Sequence, residues 1–204
     1  MTDADRRQVS VARERILDCA SDLFAHKGVH AVGVDELIEK ADVARATFYR
    51  HFPSKEDLVV AFVDQRGQLW VHGWLESQAK ERGDTPEAQL LVVFDLLSEW
   101  FASDDFEGDP IINTLLETGH RSPLISQACI AALQSVRAVI SALAEQAGLR
   151  DPEEFAFSFH LLMNGAIFQA GEPDLNAAKR AQTMAHSLID RHRQPSTDLH
   201  LTSS

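Results

Sequence analysis

The residue types best suited to chemistry lie together in one short window near the N-terminus. Between Asp42 and Glu56 the sequence reads VARATFYRHFPSK, with two arginines, a lysine and a histidine but no carboxylate. Arginine can bind guanine O6 and N7 through two hydrogen bonds, and lysine and tyrosine are suited to phosphate oxygens. The window therefore favours contact with nucleic acid.

The rest of the chain has the opposite charge balance. The 204 residues carry a net charge of −12, which argues against attraction of the whole molecule to nucleic acid and makes the window stand apart. The composition excludes a disordered, collagen-like or disulfide-rich chain, since only Cys19 and Cys129 are present, far apart in apolar helical patterns.

The window coincides with two short helices joined by a tight turn. Apolar spacing predicts a first helix over 10–27 that ends at Gly28, a second over 34–41 and a third over 45–51. Two brief helices across a turn are typical of a helix-turn-helix, whose second helix enters the major groove of DNA. The candidate DNA-binding residues are Arg45, Ala46, Thr47, Tyr49, Arg50, His51 and Lys55.

Helical spacing continues through the rest of the chain, so the sequence predicts an all-α fold of about nine helices. Ser54 with Asp57 is typical of a capping box, and Thr85 with Pro86 marks another helix start. The predicted domains are an N-terminal three-helix DNA-binding domain (1–53), a larger helical ligand-binding and dimerisation domain (54–193) and a flexible polar tail (194–204).

The run VGVDELIEKADVARATFYRHFPSKEDLV resembles the DNA-binding region of the TetR family of bacterial transcriptional regulators. Residues 48–58 match the hallmark tyrosine-x-x-phenylalanine-x-serine-lysine-glutamate run of that family, and the resemblance covers about 12–58. Three positions depart from it, because Gly33, Asp42 and Ala44 stand where Thr or Ser, Gly, and Ser are usual. Ala44 lacks a capping oxygen, which leaves Asp42 as the candidate cap for the third helix.

The resemblance implies a homodimer that binds an operator with an inverted repeat and acts as a repressor. The last two predicted helices, which follow Asp151 and the turn at 171–174, would form the dimer interface. The candidate dimerisation residues are Phe155, Phe159, Gly165, Ala166, Ala181, Met184, Ala185 and Leu188.

The resemblance also implies that the helices between Ser54 and Gly148 enclose a small, largely apolar or aromatic effector that releases the protein from DNA. Aromatic and scattered polar residues are the candidates, with Asn113, Glu117 and His160 as the preferred polar contacts. The full set is Trp70, Trp74, Phe94, Trp100, Asn113, Glu117, His120, His160, Asn164 and Phe168.

Three other functions are weighed against this interpretation. One feature supports a helical-bundle enzyme, the Glu-x-x-His spacing of Glu117 and His120. Di-iron bundles, however, need two such pairs and two further glutamates. A ligand-binding protein with weakened DNA binding would follow if Asp42 repelled phosphate. Redox sensing would need an exposed thiol of low pKa at Cys19 or Cys129. We expect no enzyme activity, no metal and no cofactor.

The sequence predicts a cytoplasmic protein. The N-terminal residues MTDADRRQVSVARERILD carry charges of both signs and no apolar core of a signal peptide. The longest uncharged stretch, 155–170, falls short of the roughly 20 apolar residues that a membrane-spanning helix needs. We expect no membrane partner.

Overall fold

The protein is all-α, as predicted. The structure is a computed structural model that describes residues 3–104, 106–172, 174 and 176–193, with only the backbone described for 3–10, and this part of the chain contains no strand. The predicted tail, 194–204, lies outside the described residues. The α-helices are α1 (Asp3–Lys27), α2 (Val34–Lys40), α3 (Arg45–His51), α4 (Lys55–Gln68), α5 (Ser77–Arg82), α6 (Pro86–Phe101), α7 (Pro110–Thr118), α8 (Pro123–Gln146), α9 (Pro152–Ala170) and α10 (Ala177–His192).

The chain packs as two compact units. The N-terminal unit comprises Met1–Trp74 and Asp105–Ser135, and the C-terminal unit comprises Leu75–Asp104 and Val136–Ser204. The division into a DNA-binding domain and a ligand-binding domain at residue 53 stays a prediction.

The N-terminal unit has one apolar cluster beneath α1 to α4. Ile16, Leu37 and Phe48 are fully buried in it, and the rings of Phe24 and Phe62 meet edge to face with centroids 5.3 Å apart. The helix α1 therefore presents its predicted apolar face to the core. Burial of this kind contributes roughly 1.5–3 kcal/mol for each large side chain.

Most helix boundaries follow local signals that the sequence contains. Ser54 and Asp57 form the predicted capping box, in which the Ser54 hydroxyl accepts from the Asp57 amide at 3.1 Å. The Thr85 hydroxyl caps α6 by accepting from the Ala88 amide at 3.1 Å, and Pro86 is the first residue of that helix. Gly28 ends α1 with a φ of +77°, a left-handed conformation that glycine adopts without strain.

Two elements differ from the predictions. Helix α1 begins at Asp3 rather than near residue 10. The apolar spacing could not indicate these first turns, because their residues are mostly polar. The helix predicted from Ser54 to Lys80 is not regular, since a π-helix at Leu69–Glu76 joins α4 to α5. The wider π turn brings Trp70 and Trp74 into contact, with ring centroids 4.4 Å apart.

The C-terminal unit is built around α6, α9 and α10. Its core contains Phe94, Phe155 and Phe159, all at most 1% exposed, and the rings of Phe94 and Phe159 lie 5.0 Å apart. Offset and tilted ring pairs at this separation add to the stabilisation that burial provides.

Helix α8 is the one described helix that is long and apolar enough to cross a membrane by length and composition alone. A core helix of a soluble protein satisfies the same test, so this property is weak evidence for a membrane span.

The missing cap on α3 predicts a stabilising substitution. Ala44 has the extended backbone of an N-cap but no side chain that can accept, so we expect Ala44→Ser to raise the free energy of unfolding by about 1 kcal/mol. Urea unfolding followed by circular dichroism measures this. The control is Ala46→Ser, an exposed position inside α3, which should not stabilise; equal stability of the two variants would contradict the prediction.

Candidate nucleic-acid interface

Helices α2 and α3 are joined by a turn that needs a left-handed residue. Asp42 supplies it with a φ of +49°, and the Val43 amide donates to the Ile38 carbonyl at 3.3 Å. Arg15 of α1 donates to the carbonyls of Ala41 and Asp42, so the turn is fastened to α1. This arrangement fixes where α3 begins.

The two faces of α3 have opposite environments. Phe48 is its fully buried residue, whereas Arg45, Ala46, Tyr49 and Arg50 are exposed. The Tyr49 ring packs edge to face against Phe48, with ring centroids 5.4 Å apart. This contact places Tyr49 at the edge of the core. Thr47, the other candidate on this helix, is half-buried. The helix therefore presents two guanidinium groups and a phenol to solvent on a surface with small residues between them.

Arg45 is held by an acidic neighbour in the absence of DNA. Its guanidinium forms an ion pair with Asp35 of α2, and both side chains are more than half exposed. Exposed pairs of this kind contribute little to stability, typically about 0–1 kcal/mol. A guanine edge or a phosphate can therefore replace Asp35 as the partner of Arg45.

His51 and Lys55 are less accessible than the other candidates. The Lys55 ammonium donates to the Val29 carbonyl at 2.6 Å, and burial lowers the pKa of Lys55. His51 is half-buried, its Nε2 atom has no hydrogen-bond partner, and burial with nearby Arg50 lowers its pKa. His51 is the last residue of α3 and Lys55 is the first of α4, and both are half-buried.

Asp42 does not cap α3, so this expectation is wrong. The N-cap residue, Ala44, makes no side-chain hydrogen bond, and the Asp42 carboxylate accepts from Arg15 of α1. The carboxylate lies 3.5 Å from Arg15 and is almost fully exposed. Its negative charge therefore stands beside the proposed DNA surface.

The candidate ligand residues are spread over both units. In the N-terminal unit, Trp70 and Trp74 stack on each other and are half-buried, while Asn113 and His120 are exposed. Glu117 is half-buried, and its carboxylate accepts from the His30 amide at 3.0 Å. The remaining five, in the C-terminal unit, are buried Phe94 and His160, half-buried Trp100 and Asn164, and exposed Phe168.

A cavity of about 140 Å³ lies in the N-terminal unit between the α4 to π-helix region and α8. None of the candidate ligand residues lines it. Its walls are Asp64, Gly67, Gln68, Val71, His72, Ala131, Ala132 and Ser135. Sequence reasoning missed these residues because they are mostly small or polar, and no aromatic or charged motif marks them.

His160 is a buried, neutral residue of the C-terminal unit. Burial, with the Arg137 guanidinium nearby, lowers the pKa of His160 to about 4. Its Nδ1 atom lies 3.4 Å from Arg137, whose guanidinium also covers the Phe157 ring at 4.8 Å. The pair thus joins a core residue to an exposed aromatic one.

The candidate dimerisation residues divide between core and surface. Phe155 and Phe159 are fully buried within the single chain, so they belong to its core and offer no surface to a partner. Ala166, Ala181, Ala185 and Leu188 are also buried, whereas Gly165 and Met184 are exposed.

The exposed apolar residues of α9 are different ones. Phe157, Leu161 and Phe168 are 57%, 73% and 79% exposed, which is unusual for side chains of this size. The spacing of four between Phe157 and Leu161 is the signal in the sequence that could have identified this face.

The geometry does not favour a redox sensor or a di-iron enzyme. Burial raises the pKa of the Cys129 thiol to about 11 and also raises the pKa of Cys19, which is the opposite of what a redox sensor needs. Glu117 bonds to the backbone of His30 instead of pairing with His120. Among the described residues, no group of three or more histidine, cysteine, aspartate or glutamate side chains could hold a metal ion.

The buried Phe48, the fastened turn and the exposed basic surface of α3 define a helix-turn-helix DNA-binding protein. Residues 16–62 match the family model described as bacterial regulatory proteins, tetR family. This segment of the chain belongs to the TetR family.

Relatives extend the similarity beyond the matched segment. The chain is 27% identical over 157 residues to the uncharacterised HTH-type transcriptional regulator YxaF of Bacillus subtilis (strain 168), covering 76% of this chain and 81% of that protein. It is 25% identical over 138 residues to the HTH-type transcriptional regulator LmrA of the same strain, covering 67% and 73%. A TetR-family transcriptional regulator from Streptomyces coelicolor has a similar crystal structure, with a TM-score of 0.80, 25% identity and coverage of 91% and 97%. The protein is a transcriptional regulator.

The exposed charge of Asp42 predicts an electrostatic effect on DNA binding. We expect Asp42→Gly to tighten binding to duplex DNA at low salt by roughly two- to fivefold, because a negative charge near phosphate is removed. Asp42→Asn should have a similar effect, and the gain should shrink as salt screens the charges. A fluorescence anisotropy titration measures both variants.

The control is Asp84→Asn, which removes an exposed carboxylate from the loop before α6. Binding that is weaker or unchanged in both Asp42 variants would show that this carboxylate does not act on DNA through its charge.

Proposed function

We propose that this regulator is a dimeric repressor that binds an inverted-repeat operator and is released by a small effector. The carboxylate-free, exposed face of α3 is the observation that carries the DNA-binding part of the proposal. The protein acts in the cytoplasm, where its operator lies, and does not act as an enzyme.

The residues of α3 have separate roles in this proposal. Arg45 and Arg50 contact guanine edges or phosphates, and Thr47 packs its methyl group against a thymine methyl. Tyr49 donates its hydroxyl to a phosphate. Ala46 has no side chain beyond its β-carbon, so the helix can approach the groove closely. His51 and Lys55 support the edge of this surface, where the Lys55 ammonium keeps two further protons for a phosphate.

The experiment that tests DNA recognition is selection from genomic DNA. Fragments of the source genome are mixed with the purified protein at moderate salt, and the retained DNA is sequenced. We expect enrichment of one or a few inverted repeats. Arg50→Ala should lower the affinity for the enriched sequence by roughly ten- to a hundredfold, since one good bidentate contact provides about 1–3 kcal/mol.

Lys80→Ala is the matched control, because it removes an equal charge from an exposed position on α5. Its affinity should equal that of the wild type. Enrichment that is absent even at low salt, or an Arg50→Ala variant that binds as well as the control, would refute the proposed recognition surface.

The exposed apolar face of α9 supports dimerisation. Phe157, Leu161 and Phe168 lie on one helix, and Met184 of α10 is 58% exposed. A two-fold axis through such a face brings identical residues together and buries them on both subunits. Gly165, exposed on the same helix, would allow two helices to approach closely.

Dimerisation through this face predicts the effect of a charge on it. Leu161→Arg should give a monomer and lower operator affinity by at least tenfold, since two linked half-site contacts become independent. Sedimentation velocity measures the mass, and anisotropy measures the affinity. The control is Gln127→Arg on the exposed side of α8. A Leu161→Arg protein that remains dimeric would exclude this face.

The cavity between α4 and α8 supports the effector part of the proposal. The lining of this space of about 140 Å³, which is open to solvent, includes four exposed polar side chains, those of Asp64, Gln68, His72 and Ser135. This space is smaller than the usual ligand site of about 300–1,000 Å³, so it suits a small molecule or the end of a longer one. The adjacent π-helix is a segment whose turns can rewind when a ligand enters.

A further inference from the structure

The corner between α7 and α8, residues 117–122, contacts the segments that precede and follow the helix-turn-helix within the N-terminal unit. Helix α7 ends at Thr118 and α8 begins at Pro123. Glu117 stands out in the sequence for its spacing from His120, yet its carboxylate has another partner. Its Oε2 atom accepts from the His30 backbone amide at 3.0 Å, across 87 positions of sequence.

The turn between α1 and α2 contacts the Glu117 carboxylate closely. Gly28 has a φ of +77°, and a β-carbon there would overlap the Oε1 atom of Glu117. The Lys55 ammonium holds the next residue of the turn, Val29, by its carbonyl at 2.6 Å. Three successive residues of the turn are therefore in contact with Glu117 or Lys55.

A second link joins the corner to the start of α4. The Ser122 hydroxyl donates to the Glu56 carboxylate, across 66 positions, and also accepts from the Ile125 amide at 3.1 Å. The Arg121 guanidinium meets the His30 ring at Nε2. The corner thus contacts the chain both before α2, at His30, and after α3, at Glu56.

We infer that Glu117 is a positioning residue for operator binding. By holding the turn between α1 and α2, it fixes the orientation of α1 to α3 on the α7 to α8 corner. In a dimer this orientation sets the distance between the two α3 helices, and hence the spacing of half-sites that the protein accepts. The inference rests on the proposed function. A movement of α7 would displace the turn between α1 and α2 through Glu117, and would thereby displace α3.

The test is selection from synthetic duplexes with a randomised centre by the wild type, Glu117→Ala and Glu117→Gln. The wild type should select an inverted repeat at a single spacing. Glu117→Ala should select the same half-site bases at several spacings, because α3 is intact but its position is not. Glu117→Gln keeps an oxygen that can accept from His30, so it should restore the wild-type spacing.

A merely structural role would not produce this pattern. Loss of folded protein lowers recovery at every spacing equally and leaves the distribution unchanged. Leu116→Ala, an exposed neighbour on α7, is the matched control and should select as the wild type does. A Glu117→Ala protein that keeps the single wild-type spacing overturns the inference.

Amide exchange followed by nuclear magnetic resonance tests the same contact without DNA. We expect the His30 amide to exchange roughly tenfold faster in Glu117→Ala than in the wild type, since one hydrogen bond is lost. The amides of α3 should not change. Free exchange of His30 in the wild type would overturn the inference. Failure of the wild type to select any inverted repeat would instead refute the proposed function, and His30 exchange would still decide whether Glu117 holds the turn.

Discussion

The burial of Phe48 is the constraint on which the proposed site depends. Helix α3 has only seven residues, too few to be stable alone in water, so its place and its rotation come from packing. Because Phe48 is fully buried in the cluster that also contains Leu37, the opposite side of the helix must face solvent. The exposure of Arg45 and Arg50 is therefore a consequence of one apolar side chain and the helical repeat, and it needs no stabilising partner at the surface.

How much of the structure could be predicted follows from the range of the interactions. Ser54, Thr85 and Gly28 act within a few residues, and each marked a helix boundary correctly. The π-helix was missed because each residue of Leu69–Glu76 is compatible with an α-helix, and the difference lies in how the turns pack. The bonds of Lys55 to Val29 and Glu117 to His30 join distant segments, and no local pattern predicts them.

Helix α9 shows the same limit within one element. Its sequence is apolar on more than one side, which correctly predicts a helix with two apolar faces, but the assignment of residues to faces depends on the neighbours. Helices α6 and α10 pack on the side of α9 that carries Phe155 and Phe159, and Phe157 and Leu161, each two positions further along the chain, are left in solvent. Phe155 and Phe159, which the sequence assigned to a partner, lie in the core of the chain, whereas Gly165, also assigned to a partner, is exposed together with Phe157 and Leu161.

The negative charge of the chain makes the accurate placement of α3 on DNA especially important. Each phosphate contact by a cation contributes to affinity regardless of base sequence, and the cations near α3 belong to a chain whose net charge is −12. Asp35 and Asp42 reduce the local positive potential further. The proposed dimer would therefore rely more on base contacts in two successive grooves, which are made together only when both α3 helices are correctly placed. For the proposed repressor, weak non-specific attraction to DNA would mean that a small displacement of the helix-turn-helix is enough for release.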